Sequence, residues 1–285
     1  MQPKGFFVGS TSFDYISLLE KLPDLTGKQR AHKQVMQTGG LSANAAITFS
    51  ALGGLSTLVT CLGNSESAKI CKTELKKYQI DLQDIASENY EISTSAIIVH
   101  GAERCIISSA KTDEEINLKS FSSPQFSDIL LIDGIHKQAY DSAIKYAKDI
   151  KIPCVWDADK WRSDSYYDLV QQVDIVIASS EFMPPCCNSQ ADVVQFFKNN
   201  GVGRFAITNG PNPIMVYENN EEYKIPVPAI KSLDTLGAGD VFHGAFCYHY
   251  ARNKNFKLAL EQSVEVASFS CQYFGRQWAK NLERM

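Results

Sequence analysis

The most informative segment of the sequence is Leu233-Asp234-Thr235-Leu236-Gly237-Ala238-Gly239-Asp240-Val241-Phe242-His243-Gly244-Ala245-Phe246. The small residues at 237–239 let a ligand approach the backbone closely, and a helix is predicted to begin there. The first amides of a helix and its positive dipole end favour a bound phosphate. An aspartate beside an anion cradle is typical of a base for phosphoryl transfer, so Asp240 is the candidate base. A helix cap with packing glycines is the alternative interpretation.

A second glycine-rich stretch, Gly39-Gly40-Leu41-Ser42-Ala43-Asn44-Ala45-Ala46, also opens a predicted helix. Its backbone amides and the Asn44 side chain could bind a polar ligand. A glycine turn before a helix of small residues is equally typical of ordinary packing.

Around these two stretches, short apolar runs alternate with longer amphipathic ones. The runs are rich in Val, Ile and Leu, as strands of a parallel sheet covered on both faces should be. The predicted strands are residues 6–8, 58–62, 129–132, 153–156, 174–178 and 205–208. The predicted helices are residues 41–52, 68–78, 137–149, 191–200, 239–250 and 258–274. This alternation predicts a three-layer α/β/α sandwich with a mostly parallel central sheet.

Two segments interrupt the alternation, residues 14–38 and 92–108. The second contains a predicted hairpin of residues 95–100 and 104–108 with a turn between them. We interpret the two segments as a small β-flap, or lid, on a single domain of residues 1–285.

The composition is that of an ordinary globular protein. The 285 residues are 44% hydrophobic and 21% charged, with a net charge of −4, which gives no basic face for nucleic acid. Neither a secretory signal nor an apolar run of membrane-spanning length is present. The 8 cysteines do not follow metal-binding spacings, which favours reduced thiols and a cytoplasmic location.

Together the two glycine-rich stretches resemble the PfkB/ribokinase family of carbohydrate kinases. The first has the form Gly-Gly-x-x-x-Asn-x-Ala and the second the form Asp-Thr-x-Gly-Ala-Gly-Asp-x-Phe. The alternation typical of a parallel sheet and the flap strands fit as well. The resemblance implies a ribokinase-like fold and ATP-dependent transfer of the γ-phosphate to a hydroxyl, most simply a primary one, of a sugar or sugar derivative.

The resemblance also implies roles for single residues. Asp240 would be the general base, and Leu236, Gly237, Ala238 and Gly239 the anion hole. Asp14, Gly39, Gly40 and Asn44 would bind sugar hydroxyls, and Thr208 and Gly210 the nucleotide. Mg²⁺ would accompany ATP, and Asp234 matches a monovalent-cation site at which K⁺ would raise activity. Family members frequently pair their flaps, which suggests a homodimer.

Three departures from the family pattern bear on metal and nucleotide binding. Ser179-Ser180-Glu181-Phe182-Met183 stands where the family often has Asn-x-x-Glu, and Pro213 stands where the nucleotide loop usually has glycine. Residues 274–278 differ from the usual small-residue loop. The arrangement of Mg²⁺ is therefore left open.

Four residues are further candidates for contact with substrate or phosphate. Lys28 and Arg104 could bind an acidic group on the sugar, although a solvated charge is the simpler interpretation of each. His136 and Asp157 lie at strand ends, on the side of the sheet where ligands bind.

Two other functions remain open at this stage. A nucleoside kinase would share the same signature, and a catalytically silent sugar-binding regulator could retain the fold. A Rossmann dehydrogenase is disfavoured, because no Gly-x-Gly-x-x-Gly follows the first strand.

Overall fold

The computed structural model describes residues 2–21, 23, 26–101, 103–109 and 121–285. Its strands, in chain order, are β1 (Lys4–Val8), β2 (Ser12–Leu18), β3 (Lys33–Gly39), β4 (Leu55–Thr60), β5 (Asp81–Asp84), β6 (Ser93–His100), β7 (Glu103–Ser108), β8 (Ile129–Ile132), β9 (Cys154–Ala158), β10 (Ile175–Ser179), β11 (Arg204–Asn209), β12 (Asn212–Glu218) and β13 (Glu221–Ile225). The helices are α1 (Leu41–Ala51), α2 (Glu66–Lys77), α3 (Lys137–Ile150), α4 (Tyr166–Leu169), α5 (Gln190–Asn199), α6 (Ala238–Asn253) and α7 (Phe256–Ser270), followed by a 3₁₀ helix over Gly275–Arg284.

Nine strands form the central sheet, in the order β13-β12-β11-β10-β9-β8-β1-β4-β5. The strands from β11 to β5 are parallel, whereas β12 and β13 add an antiparallel edge. Phe6 of β1 pairs with Thr57 of β4 on one side and Leu130 of β8 on the other. Both faces of β1 are fully buried in the core, which explains its continuous apolar run.

All six strands predicted from the sequence are present, with ends that differ by a few residues. The strands that the prediction missed are β5, β12 and β13 at the two edges of the sheet. Of the helices, α7 ends at Ser270 rather than at residue 274, because residues 271–274 form a turn before the 3₁₀ helix.

A second sheet of four strands, in the order β3-β2-β6-β7, is formed by the two segments predicted to form the flap, except that β2 begins at Ser12 and β3 ends at Gly39. Of those segments, Leu22, Asp24, Leu25 and Ala102 fall outside the described residues. One face of this sheet buries Ile16, Ile97 and Val99 against Phe274 from the C-terminal segment. The flap strands are thus fastened to the turn that follows α7. We call this four-stranded sheet the flap.

The contact between α1 and α6 places the two signature stretches side by side. Gly244 of α6 is required there, because a Cβ atom would overlap the carbonyl oxygen of Ala45 on α1 and lie 2.7 Å from Thr48 Cβ. This close approach of the helices brings the beginning of α6 next to Asn44, one turn into α1. In the described part of the chain, no helix has the length and apolar character needed to cross a membrane.

Candidate active site

A cavity of about 1770 Å³ opens between the flap and the carboxyl ends of the central strands. Its wall includes Asp14 and Arg104 from the flap, Asn44 from α1, and the beginning of α6. Ligands of open α/β sheets bind at this edge of the sheet. The cavity is therefore the candidate active site.

The floor of the cavity includes the loop from Leu236 to Gly239, which was predicted to be an anion hole. Gly237 has φ 71°, a left-handed conformation that favours glycine, and it directly precedes the first helical residue of α6. The amides at such a helix start have no partner within the helix and point along its positive dipole end. The loop can therefore bind a negatively charged group.

Asp240 is the third residue of α6 and faces the same cavity. Asn44 Nδ2 donates a hydrogen bond to Asp240 Oδ2 over 2.7 Å. Burial raises the pKa of Asp240 well above its usual range and the Asp157 charge raises it further, while the Asn44 hydrogen bond lowers it. A carboxyl with a raised pKa beside an anion site is suited to accept a proton.

Asn44 was predicted to bind a sugar hydroxyl, and in the structure both the oxygen and the nitrogen of its side-chain amide form hydrogen bonds with other side chains. Its Oδ1 accepts a hydrogen bond from Arg276 Nη2, while its Nδ2 binds Asp240. One N–H of the amide is left for a ligand.

The other predicted sugar residues meet at the junction of β2, β3 and α1. Asp14 accepts a hydrogen bond from Ser12 Oγ over 2.8 Å, and burial raises the pKa of its carboxyl. Gly39 must be glycine, since a Cβ atom there would overlap the Asp14 carboxylate. Gly40 has φ 96°, and a Cβ atom on it would come within 2.6 Å of the backbone of Ser10.

The two basic candidates have different positions. Lys28 is exposed and does not belong to the cavity wall, so its predicted substrate contact has no support from the structure. Arg104 does belong to the wall, and its Nη1 donates to Thr235 Oγ1 over 3.1 Å, beside the anion loop.

At the predicted nucleotide end, Thr208 and Gly210 both line the cavity where β11 turns into β12. Thr208 Oγ1 donates to the Ala178 carbonyl over 3.3 Å, and Gly210 has φ 53°. In residues 179–183, which differ from the family's Asn-x-x-Glu pattern, Glu181 lines the cavity and pairs with Lys160 at 2.7 Å. Phe182 points into the core instead.

A group of buried titratable side chains lies under Asp240. Asp157, at the end of β9, is 3.4 Å from His243 of α6, and its Oδ2 has no hydrogen-bond partner. Burial raises the pKa of Asp157 well above its usual range and lowers the pKa of His243. Sequence reasoning named Asp157 but missed His243, although it stands three residues after Asp240 in the signature.

Asp234 was predicted to bind a monovalent cation, but both of its carboxylate oxygens accept hydrogen bonds from backbone amides. Oδ1 accepts from the Leu236 amide and Oδ2 from the Gly275 amide, both over 2.9 Å. Burial raises the pKa of Asp234, whereas the amides of Gly275 and Leu236 and the nearby positive charge of Arg104 lower it. The Cys271 carbonyl accepts from the amides of Leu233 and Asp234. Each of these oxygens already accepts an N–H donor and a guanidinium supplies positive charge beside them, so we expect any cation to be held weakly here.

The clearest omission from the sequence prediction is an ion pair between Arg276 and Glu74. The Arg276 side chain is only 7% exposed, yet it belongs to the cavity wall next to Asn44. The one sequence feature that could have indicated a role for Arg276 was the difference between residues 274–278 and the usual small-residue loop of the family. No feature of the sequence indicated Glu74 on α2 as its partner.

Comparison with known proteins agrees with this geometry. The pfkB family carbohydrate kinase model matches residues 3–281. The ribokinase of Lactococcus lactis is 20% identical over 95% of this chain and 91% of its own length. The nucleoside kinase of Methanothermobacter thermautotrophicus is 22% identical over 95% of this chain and 90% of its own.

Solved structures with a similar fold include a ribokinase. Arabidopsis thaliana ribokinase, solved in complex with ribose and ATP, superposes with a TM-score of 0.73 over 100% of both chains at 19% identity. The family match spans both signature stretches, the central sheet and the flap. The chain therefore belongs to the pfkB family of carbohydrate kinases, ATP-dependent phosphotransferases with a ribokinase-like α/β fold.

Proposed function

We propose that Asp240 is the general base for transfer of the γ-phosphate of ATP to a hydroxyl, most simply a primary one, of a sugar or sugar derivative. The observation that carries this proposal is the position of Asp240 at the beginning of α6. Its carboxylate is adjacent to the anion loop and is oriented by Asn44 over 2.7 Å.

In this mechanism the Asp240 carboxylate takes the proton of the acceptor hydroxyl as that oxygen attacks the γ-phosphorus. A new oxygen–phosphorus bond forms, the bond from the γ-phosphorus to the bridging oxygen breaks, and ADP leaves. The Leu236 amide donates to Asp234 Oδ1 and the Ala238 amide to the Thr235 carbonyl. The amides of Gly237 and Gly239 would therefore stabilise the charge on the transferring group, as oxyanion-type donors do. Closure of the flap over the cavity would exclude water.

The sugar would bind between the flap and α1, where Asp14 and the free N–H of Asn44 meet. Thr208 and Gly210 would contact the nucleotide, and Arg104, beside the anion loop, would approach its phosphates rather than the sugar. Because Glu74 neutralises Arg276 at the sugar end, we infer an uncharged acceptor. The nucleoside kinase among the relatives makes nucleosides the second acceptor class to test.

Mg²⁺ would be held by the phosphates of ATP and by Asp157. The Asp157 carboxyl belongs to the cavity wall and has an oxygen without a hydrogen-bond partner, and carboxylate oxygens are the ligands that Mg²⁺ prefers. When bound, the ion neutralises the phosphate charge. We infer that no monovalent cation is needed, since Arg104 supplies positive charge beside Asp234.

We also propose a cytoplasmic homodimer paired through the flaps. The outer face of the flap carries a row of paired residues, Met36, Tyr15, Ala96 and Ile107, all of them exposed. Met36 and Ile107 are 52% and 64% exposed, and contiguous exposed apolar groups mark contact surfaces. All eight cysteines are described and none is in a disulfide, and free thiols persist in reducing compartments.

The test is ADP release measured over a panel of D-ribose, D-fructose, 2-deoxy-D-ribose and adenosine, with the wild type and Asp240→Asn. Asparagine keeps the size of the side chain but cannot take the proton, so kcat should fall by about 10²–10⁴-fold with acceptor binding retained. A fully active Asp240→Asn enzyme would overturn the mechanism. Acceptor binding without ADP release by the wild type would favour a silent sugar-binding protein.

A further inference from the structure

Arg276 is held in one position by three parts of the chain. Its Nη1 pairs with Glu74 Oε1 on α2. Its Nη2 donates a hydrogen bond to the carbonyl oxygen of Thr38 at the end of β3. Glu74 is itself fixed, because its Oε2 accepts from the Thr38 amide over 2.6 Å. The backbone amide of Arg276 donates to Gln37 Oε1 over 3.2 Å. The side chains of Arg276 and Glu74 are 7% and 20% exposed, so this ion pair is largely shielded from water.

The remaining Nη2 contact of Arg276 reaches the Asn44 amide, and through it the proposed base. Arg276 donates to Asn44 Oδ1, and Asn44 Nδ2 donates to Asp240 Oδ2. A guanidinium has only donors, and an ionised carboxylate has only acceptors. The amide between them can satisfy both neighbours in one orientation alone, with its oxygen toward Arg276 and its nitrogen toward Asp240.

From this chain of contacts we propose that Arg276 is a positioning residue for the base. It locks the Asn44 amide so that an N–H always faces Asp240, and thereby keeps the carboxylate ionised and aimed at the acceptor hydroxyl. The inference rests on the proposed role of Asp240 and adds a residue from the C-terminal segment to the site.

The charges around Asp240 explain why such a lock is needed. Asp157 and Asp159, at the end of β9, raise the pKa of Asp240, as does burial, whereas His243 on α6 lowers it. Asp14 is close enough to the Arg276–Glu74 pair for Arg276 to lower the pKa of its carboxyl and for Glu74 to raise it. Without Arg276 the amide can rotate, and its oxygen would then face the carboxylate and favour the protonated, inactive form.

The test compares the pH dependence of kcat/KM in wild type, Arg276→Met and Arg276→Lys, using the panel acceptor that gives the fastest ADP release. For Arg276→Met, the acidic limb should move upward by about one pH unit. The loss of activity should therefore be about tenfold on that limb and small at alkaline pH. Arg276→Lys, which keeps the charge but lacks the forked donors, should move the limb in the same direction.

Arg204→Met is the matched control. Arg204 also pairs with a glutamate, Glu218 at 3.4 Å, but it lies on β11 outside the cavity wall. This variant should keep the pH profile of the wild type. A loss of activity by the same factor at every pH in Arg276→Met, or an unmoved acidic limb, would overturn the inference.

A second measurement needs no acceptor. The ¹³C-carboxyl resonance of Asp240, assigned by its disappearance in Asp240→Asn, reports the pKa of the base directly. That pKa should be higher in Arg276→Lys and Glu74→Gln than in the wild type, and an unchanged value would refute the lock. An Asp240→Asn enzyme with full activity would refute the proposed function instead, which separates the two failures.

Discussion

Replacing Gly239 with alanine should separate stability from catalysis in this enzyme. Gly239 is the second helical residue of α6 and is exposed in the cavity wall. Apart from its chain neighbours and the adjacent backbone of its own helix, a Cβ atom added there would have no heavy atom within 4 Å among the described residues. The protein itself therefore has room for the methyl group, and the space it would enter is the space proposed for the transferring phosphoryl.

The expected magnitudes follow from that geometry. Alanine has a helix propensity that is better than that of glycine by about 0.5–1 kcal/mol, so the free energy of unfolding should stay the same or rise by that amount. A methyl group in the anion loop would displace the phosphoryl group by about 1 Å, and such a misplacement costs about 10²-fold in rate. Loss of one anion-hole donor would cost about 10²–10³-fold.

The assay is thermal unfolding combined with ADP release, with Gly244→Ala as the comparison. Gly244 is five residues further along the same helix, but its added Cβ would overlap the Ala45 carbonyl oxygen and approach Thr48 Cβ to 2.7 Å. Overpacking of this kind costs about 1–3 kcal/mol, so this variant should lose stability. A Gly239→Ala enzyme of normal stability and full kcat would refute the phosphoryl site at the beginning of α6.

Four further outcomes are expected. Because the pKa of Asp240 is raised, kcat/KM should decline as pH falls through a value above 3.8, and a limb at 3.8 or below would contradict this. Asp240→Asn should unfold at a higher temperature than the wild type at neutral pH, because it removes a carboxylate whose ionised form is disfavoured by burial. A lower unfolding temperature would contradict the idea that this charge destabilises the fold. Rates in K⁺ and in tetramethylammonium should agree within about twofold, and a tenfold activation by K⁺ would restore the cation site at Asp234. Light scattering should give twice the monomer mass for the wild type and the monomer mass for the double variant Met36→Lys, Ile107→Lys, because two buried lysines would oppose flap pairing.

Much of the central sheet could be predicted because its strands are buried on both faces. The run over β1 and those over β8 and β10 are continuous in apolar residues, a pattern that needs no knowledge of the partners. The two glycine-rich stretches were equally informative, since left-handed backbone at Gly40 and Gly237 leaves few alternatives.

The missed edge strands carry a different signal. β12 and β13 are joined by Asn219 and Asn220, which have φ 55° and 66°, as a two-residue hairpin turn requires. Asn-Asn is a weaker predictor of that turn than Asn-Gly. β13 has only Tyr223 and Ile225 as apolar residues and shows no apolar run, whereas β12 does contain one, from Ile214 to Tyr217, which the prediction overlooked.

The contacts that organise the candidate site could not be predicted from sequence. Arg276 and Glu74 are 202 residues apart, and their pairing depends on how the turn after α7 meets α2 and β3. The predicted role of Lys28 stays a prediction, because its exposed position outside the cavity wall does not support a contact with substrate. Motifs specified which groups were chemically able to act, whereas packing decided which of them meet.

The raised pKa of Asp240 links catalysis to stability, with a definite sign. A carboxyl whose pKa is higher in the folded chain than in the unfolded chain binds more protons when folded, so stability falls as pH rises from 3.8 to the folded pKa. Above the folded pKa the full cost remains, at about 1.4 kcal/mol for each unit of difference. The surroundings of Asp240 therefore favour its protonated form, and ionising it lowers the stability of the fold. Asn44, oriented by Arg276, reduces this loss of stability by donating a hydrogen bond to the ionised carboxylate. Removing the charge in Asp240→Asn should stabilise the fold while abolishing proton transfer, which is the outcome expected when a buried carboxylate is kept for its chemistry and not for its packing.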